Sequence, residues 1–233
     1  MQTEMRTATK LSKQTLDILK NFASINSNIL VSPGNVIKTI SPVKNVMSQA
    51  VVKENFDTEF GIWDLNKFLG VVSLFNDPEF YFNEKYVEIV GNNGTRVVYH
   101  YSEPKLLTTV TKEIKMPDAV VNFTLEQDDF SELQKASGVL QLPDLCLRNC
   151  SEGIELVAVD KKDSSSNNYS VLVGNDYANG DFEFFFKTEN LKLLPGDYQI
   201  SLCEKLAIQL QHADIDAGYV IAVTSDSVYN GVF

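Results

Sequence analysis

Lysines form the clearest pattern of potential chemistry in this chain. The segment from Lys10 to Val31 predicts an amphipathic helix that runs into a strand. One face of that helix holds four polar residues, two of them cations: Lys13, Asp17, Lys20 and Ser24. Ammonium groups on a shared face could contact phosphates, because such contacts require Lys or Arg. The alternative is an ordinary solvated face, and the helix alone favours that alternative.

Catalytic groups and metal ligands are sparse by comparison. The two histidines, His100 and His212, lie in no recognisable catalytic motif, so we expect each to be structural or at the surface. Cys146 and Cys150 lack a second ligand pair at zinc spacing. The sequence contains no GxxxxGK[ST] phosphate loop. We therefore expect a protein that is not an enzyme and that uses no metal or cofactor.

The charge of the whole chain limits its possible partners. Its 233 residues carry a formal net charge of −11, which normally argues against nucleic acid. The charge is unevenly distributed, however, since the lysine-bearing stretch 38–53 precedes the carboxylate-rich stretch 54–84. Three cysteines are too few for a disulfide framework, and no apolar run is long enough to span a bilayer. A soluble cytosolic protein without a membrane partner fits best.

Two helices are expected in the first half of the chain. The first has an apolar stripe at three- and four-residue steps, formed by Leu16, Leu19, Phe22 and Ala23. Asp64 is a suitable N-cap for the second, which continues to Val72. Between and after these helices, β-branched and aromatic segments bounded by turn formers predict strands. Two such strands are expected at 28–39 and 80–90.

Two further helices are expected in the second half. The third should begin at Asp128 or Asp129. Its predicted apolar face comprises Phe130, Leu133, Ala136 and Val139 or Leu140. A short fourth helix is predicted between Lys187 and Leu194, before the turn Pro195-Gly196.

The two halves share an order of elements, which predicts an internal duplication. In both FGIWDLNKFLGVV and FEFFFKTENLKLLPG, an aromatic-rich strand passes quickly into a short helix with lysine among apolar positions. We expect an N-terminal domain over residues 1–112, a connector over 113–118 and a C-terminal domain over 119–233.

Several blocks resemble a known family when taken together. They are KLSKQTLDILKNFASINSNIL, FGIWDLNKFLGVVSLFND with its core DLN-x-FLG, DDFSELQKASGVLQLPDL, NGDFEFFFKTENLKLLPGDYQISL and DAGYVIAV. In this order they resemble the sliding clamps, the DNA polymerase processivity factors, of T-even-type bacteriophages. That family's chain begins near Lys10, so residues 1–9 are expected to be an extension that could be disordered.

The resemblance implies an α+β DNA-clamp fold, in which two similar domains of helices packed on antiparallel sheets assemble into a ring. It further implies a homotrimer that encircles double-stranded DNA without sequence preference and tethers the phage DNA polymerase. A clamp-loader ATPase would place the ring, which could also serve as a mobile activator of late transcription. The protein would act in the cytoplasm of the infected bacterial host. The alternative is an acidic, β-rich structural or interaction protein of a virion that does not encircle DNA.

Two sets of site residues follow from the resemblance. The DNA-facing lysines are expected to be Lys10, Lys13, Lys20, Lys67, Lys135, Lys187 and Lys192. A pocket for a partner peptide is expected at the connector, formed by Leu106, Leu107, Val110, Ile114 and Met116. For the lysines the alternative is an ordinary solvated surface, and for the connector it is packing against the neighbouring sheets.

Overall fold

The computed structural model describes residues 8–110, 119–163, 165–174, 180–203 and 207–230. The chain divides into two compact units, residues 1–112 and 113–233. Within the described ranges, no helix has both the length and the apolar character needed to cross a membrane.

The first unit is built from antiparallel strand pairs and two helices. In chain order these elements are α1 (Lys13–Ile25), β1 (Ile29–Val31), β2 (Gly34–Ile40), β3 (Val46–Phe56), β4 (Phe60–Ile62), α2 (Leu65–Val72), β5 (Glu79–Phe82), β6 (Tyr86–Val90) and β7 (Arg96–His100). Strand β1 pairs with β4, β2 pairs with β3, and the order β5-β6-β7 forms a three-stranded sheet. The two helices pack against each other, and α1 also packs against β3.

Helix α1 is fixed to β3 by a polar network at its first turn. Ser12 caps the helix by accepting a hydrogen bond from the Thr15 amide at 3.2 Å. The Glu54 carboxylate, whose residue is only 8% exposed, accepts hydrogen bonds from the Ser12 amide and the Thr15 hydroxyl. Burial raises the pKa of Glu54, but these hydrogen bonds outweigh it and hold the pKa below its ordinary value of 4.5.

Replacing Glu54 by alanine is expected to lower the free energy of unfolding by about 1–3 kcal/mol at pH 7, because the buried Thr15 hydroxyl and the half-buried Ser12 amide lose their acceptor. The folded pKa lies below the unfolded one, so the carboxylate contributes fully above the unfolded value. That contribution is lost as the pH falls through the folded value. Chemical denaturation from pH 7 to pH 3 should therefore show wild type and variant converging below pH 4.5. Glu59→Ala, at an exposed acid between β3 and β4, is the control; equal stability of Glu54→Ala and wild type at pH 7 would contradict the prediction.

The second unit contains one long helix and two antiparallel sheets in its described part. In chain order its elements are β8 (Ala119–Leu125), α3 (Gln127–Leu140), β9 (Asp144–Cys150), β10 (Gly153–Val159), β11 (Tyr169–Gly174), β12 (Phe182–Lys187), β13 (Tyr198–Cys203), β14 (Ala207–His212), β15 (Ala217–Ala222) and β16 (Val228–Tyr229). One sheet has the order β11-β10-β9-β12-β16, and within this unit the other has the order β15-β14-β13-β8. Helix α3 packs on β10 and β11.

Two long predicted strands are each divided in the structure. The segment predicted at 28–39 becomes β1 and β2, because Ser32-Pro33-Gly34 interrupts it and Gly34 adopts φ 115°. The segment predicted at 80–90 becomes β5 and β6, with the Asn83 amide donating to the Tyr86 carbonyl at 2.9 Å across the turn. Strands β9 and β16 were not predicted.

Candidate nucleic-acid interface

Helix α1 places two of the predicted cations on its solvent face. Thr15, Ile18, Leu19 and Phe22 are buried beneath the helix. Lys13 and Lys20 are exposed. Lys20 Nζ lies 3.0 Å from Asp17 Oδ1, so one of these two ammonium groups already has a carboxylate partner on the helix surface.

Helix α2 adds a third exposed cation. Asp64 Oδ1 accepts a hydrogen bond from the Lys67 amide at 2.9 Å, which confirms the predicted cap. Phe68 and Val72 are buried, whereas the side chain of Lys67 is exposed. A groove of about 290 Å³ lies between the two helices and includes Lys13 and Lys20 in its lining.

Helix α3 carries Lys135 on its exposed face, but its start differs from the prediction. The expectation that Asp128 or Asp129 caps this helix is wrong, since the helix begins at Gln127 and both acids lie in its first turn. The Gln127 amide instead donates to Asp197 Oδ1 at 2.8 Å, across 70 residues of sequence. The cap therefore comes from a distant loop, which local sequence rules do not detect.

The prediction of a fourth helix between Lys187 and Leu194 is wrong. Lys187 ends β12, and the following residues form a single 3₁₀ turn, Thr188–Asn190. A segment this short before Pro195 cannot offset the cost of starting an α-helix. The loop is held by burial of Leu191 and Leu194 and by the hydrogen bond from the Tyr198 hydroxyl to the Leu194 carbonyl at 2.8 Å.

Three of the predicted DNA-facing lysines lie outside the helices: Lys10, Lys187 and Lys192. Lys187 Nζ lies 2.6 Å from Oδ1 of Asp144, whose side chain is fully buried. Removing one member of such a pair leaves a buried charge, so Lys187 contributes to the packing of its unit. Lys10 was placed at the start of the first helix, but it precedes α1 and pairs with Asp77. Lys192 is exposed in the loop after the 3₁₀ turn.

The predicted peptide pocket is only partly described. Ile114 and Met116 lie outside the described residues. Leu106 is 59% exposed, whereas Leu107 is 9% exposed and packs so closely on Gly61 that a Cβ there would meet its Cδ1 at 2.6 Å. Leu107 therefore belongs to the packing of the first unit, which is the alternative that the sequence left open, and Val110 is half-buried.

Val110 lines a groove of about 310 Å³ that the sequence did not indicate. The groove is formed by Leu30, Ser32, Pro33, Val36, Lys38, Thr108, Thr109 and Val110. Two buried asparagines hold its wall, because Asn26 Nδ2 donates to the Thr108 carbonyl at 3.3 Å and the Thr108 amide donates to Asn28 Oδ1 at 3.0 Å. Thr108, in the described part of the chain, is thus held beside β1 and β2.

Each unit has an outer strand with an exposed apolar side chain. Strand β7 lies at the edge of the three-stranded sheet, and its Val98 is 46% exposed. Strand β11 lies at the edge of the five-stranded sheet, and its Leu172 is 44% exposed. Edge strands of this kind present backbone donors and acceptors to a further strand.

Exposed apolar residues also occur at the ends of two helices. Leu74, just beyond α2, is 76% exposed. The prediction that Val139 or Leu140 joins the core face of α3 is wrong, since they are 81% and 38% exposed. Ser137 is buried in their place and donates to the Leu142 carbonyl at 2.7 Å. These exposed apolar side chains are accessible to a further protein surface.

His212 and Cys146 occupy buried positions, whereas His100 is exposed on β7. His212 is buried, with Nε2 2.9 Å from the Pro195 carbonyl oxygen and Nδ1 accepting from the Asp214 amide at 3.0 Å. Burial raises the pKa of the Cys146 thiol to about 12, so it is protonated at neutral pH. Among the residues that the structure describes, no three His, Cys, Asp or Glu side chains are grouped to hold a metal ion.

Comparisons with known proteins agree on one family. The family model described as DNA polymerase processivity factor matches residues 10–97, and that described as gp45 sliding clamp, C terminal, matches residues 122–225. The sliding clamp of Vibrio phage KVP40 is 33% identical over 83% of this chain and 90% of its own. The sliding clamp of Escherichia phage RB69 is 29% identical over 95% of this chain and 99% of its own.

A solved structure extends the likeness to the fold. The A. fulgidus PCNA, solved with the C-terminal region of FEN-1 bound, superimposes with a TM-score of 0.68 at 14% identity. The alignment covers 95% of this chain and 99% of that one. The fold is therefore the DNA-clamp fold that the resemblance implied.

Proposed function

Because this chain belongs to the sliding clamp family of DNA polymerase processivity factors, we propose that three copies close into a ring around double-stranded DNA. The ring tethers the phage replicative polymerase and performs no chemistry itself. A clamp-loader ATPase opens it and places it on DNA, and the loaded ring also serves late transcription as a mobile activator. It acts in the cytoplasm of the infected bacterium.

The observation that carries this proposal is the placement of exposed lysines on each of the three α-helices in the described part of an acidic chain. Lys13, Lys67 and Lys135 are exposed on α1, α2 and α3, although the net charge is −11. A closed ring is held by its topology, so it needs only a mildly cationic lining. Stronger phosphate contacts would oppose sliding, and an acidic exterior discourages DNA from binding outside the ring.

Ring closure is proposed to join β7 of one copy to β11 of the next. The two strands lie in different units, so their pairing is head-to-tail and can close into a ring. Leu74 and Val98 of one copy would then face apolar residues of the next copy, namely Val139, Leu140 and Leu172. This arrangement gives a function to five of the exposed apolar side chains.

Partner proteins are proposed to bind the groove at Val110 through a short C-terminal peptide. The groove offers apolar wall residues such as Leu30 and Val36, the latter 39% exposed, together with Lys38 for a terminal carboxylate. Leu106 and Val110 remain accessible at the connector. The A. fulgidus PCNA with its bound C-terminal peptide of FEN-1 supports this mode of binding. A small groove that accepts a few anchor side chains suits partner proteins that bind transiently and replace one another.

Topology provides the test of the ring. Labelled protein loaded on nicked circular DNA by its clamp loader and ATP should persist through gel filtration, and it should be lost when that DNA is linearised. Sedimentation should give a mass three times 26.1 kDa. Equal retention on circular and linear DNA would contradict encirclement, because binding by contacts alone does not depend on DNA ends.

A further inference from the structure

The lysines proposed to face DNA differ in whether a carboxylate is paired with them, and the proposed function does not explain this difference. Lys20 lies 3.0 Å from Asp17, and Lys10 pairs with Asp77. Within the described ranges, no carboxylate forms an ion pair with Lys13, Lys67 or Lys135. The lysines proposed to face DNA therefore fall into a paired class and an unpaired class.

We propose that Asp17 is a positioning residue that limits the grip of Lys20 on DNA phosphates, so that the ring slides. The inference rests on the proposed DNA-facing role of α1. Asp17 competes with phosphate for the same ammonium group, and each departure of Lys20 from a phosphate is assisted by the return of its carboxylate. Asp77 acts on Lys10 in the same way.

Stability does not account for this pair. The side chains of Lys20 and Asp17 are 63% and 44% exposed, and pairs this exposed contribute little to folding. Lys187 provides the contrast, since it contacts a fully buried carboxylate. A solvent-exposed acid beside a phosphate-binding lysine has its main effect on the ligand, because both charges remain hydrated when the DNA is absent.

The test is the one-dimensional diffusion of labelled rings loaded on stretched duplex DNA. Asp17→Asn should lower the diffusion coefficient roughly twofold to fivefold at low salt. In each copy, Lys20 would then contact phosphate without competition from a carboxylate. The difference should disappear at high salt, where exposed charges are screened. Adding Lys20→Ala to Asp17→Asn should restore wild-type diffusion, because the effect operates through that lysine.

Asp216→Asn is the matched control, since it removes one exposed carboxylate from the β14–β15 turn and should leave diffusion unchanged. Wild-type diffusion of Asp17→Asn at every salt concentration would overturn the inference. So would slowing that persists in the double variant. Neither result bears on encirclement, which is tested separately by loss of wild-type rings from linear DNA ends.

Discussion

Replacing Leu172 by glutamate is expected to dissociate the assembly into single chains of 26.1 kDa. Leu172 lies on the outer strand β11 with 44% exposure, so a charge is tolerated by the isolated unit. In the proposed closed ring the same position is covered by the next copy. A carboxylate buried there without a partner costs several kcal/mol at each interface, and the ring should no longer be retained on circular DNA.

Light scattering after gel filtration measures this result directly. Val43→Glu is the control, because Val43 is 77% exposed in the turn between β2 and β3 and lies on neither outer strand. Combining Leu172→Glu with Val98→Lys should recover part of the trimer by placing opposite charges across the interface. A Leu172→Glu protein that keeps its full mass would contradict the pairing of β7 with β11.

Local sequence rules predicted the helices that carry their own signals. The stripe of α1 and the Asp64 cap of α2 lie within a few residues of the elements that they specify. Both were correctly located, except that Leu16 of the stripe is only half-buried. The cap of α3 was missed because Asp197 reaches Gln127 from a distant loop. The same loop contains the segment that was wrongly predicted as a fourth helix. Its residues Leu191 and Leu194 are buried by tertiary packing, which no local sequence pattern shows.

The candidate site residues also divide into those that local sequence patterns reveal and those that depend on tertiary structure. Exposure of Lys13, Lys20, Lys67 and Lys135 follows from helical periodicity, which is readable from sequence. The pairing of Lys187 with Asp144 depends on the neighbouring strands β9 and β12, and the groove at Val110 depends on buried asparagines. Outer strands could not be identified either, because edge position is a property of the whole sheet.

Charge reversal of the three unpaired lysines is expected to reduce processive synthesis at least roughly tenfold while the trimer remains intact. In Lys13→Glu/Lys67→Glu/Lys135→Glu, every copy replaces phosphate attraction with repulsion on each of its helices. Lys20→Glu alone should have a smaller effect, because Asp17 already weakens that contact. The measurement is the length of DNA made in one polymerase binding event on a primed circle.

The matched variant Lys44→Glu/Lys53→Glu/Lys162→Glu makes the same change in net charge at exposed positions outside the helices. It should retain nearly normal product length. That result would separate the effect of the helix lysines from the effect of the net charge of the chain. The defect of the helix variant should also diminish as salt rises, since screening weakens attraction and repulsion alike. Equal product lengths for the two triple variants would show that α1, α2 and α3 do not face the DNA, even if the ring itself is confirmed.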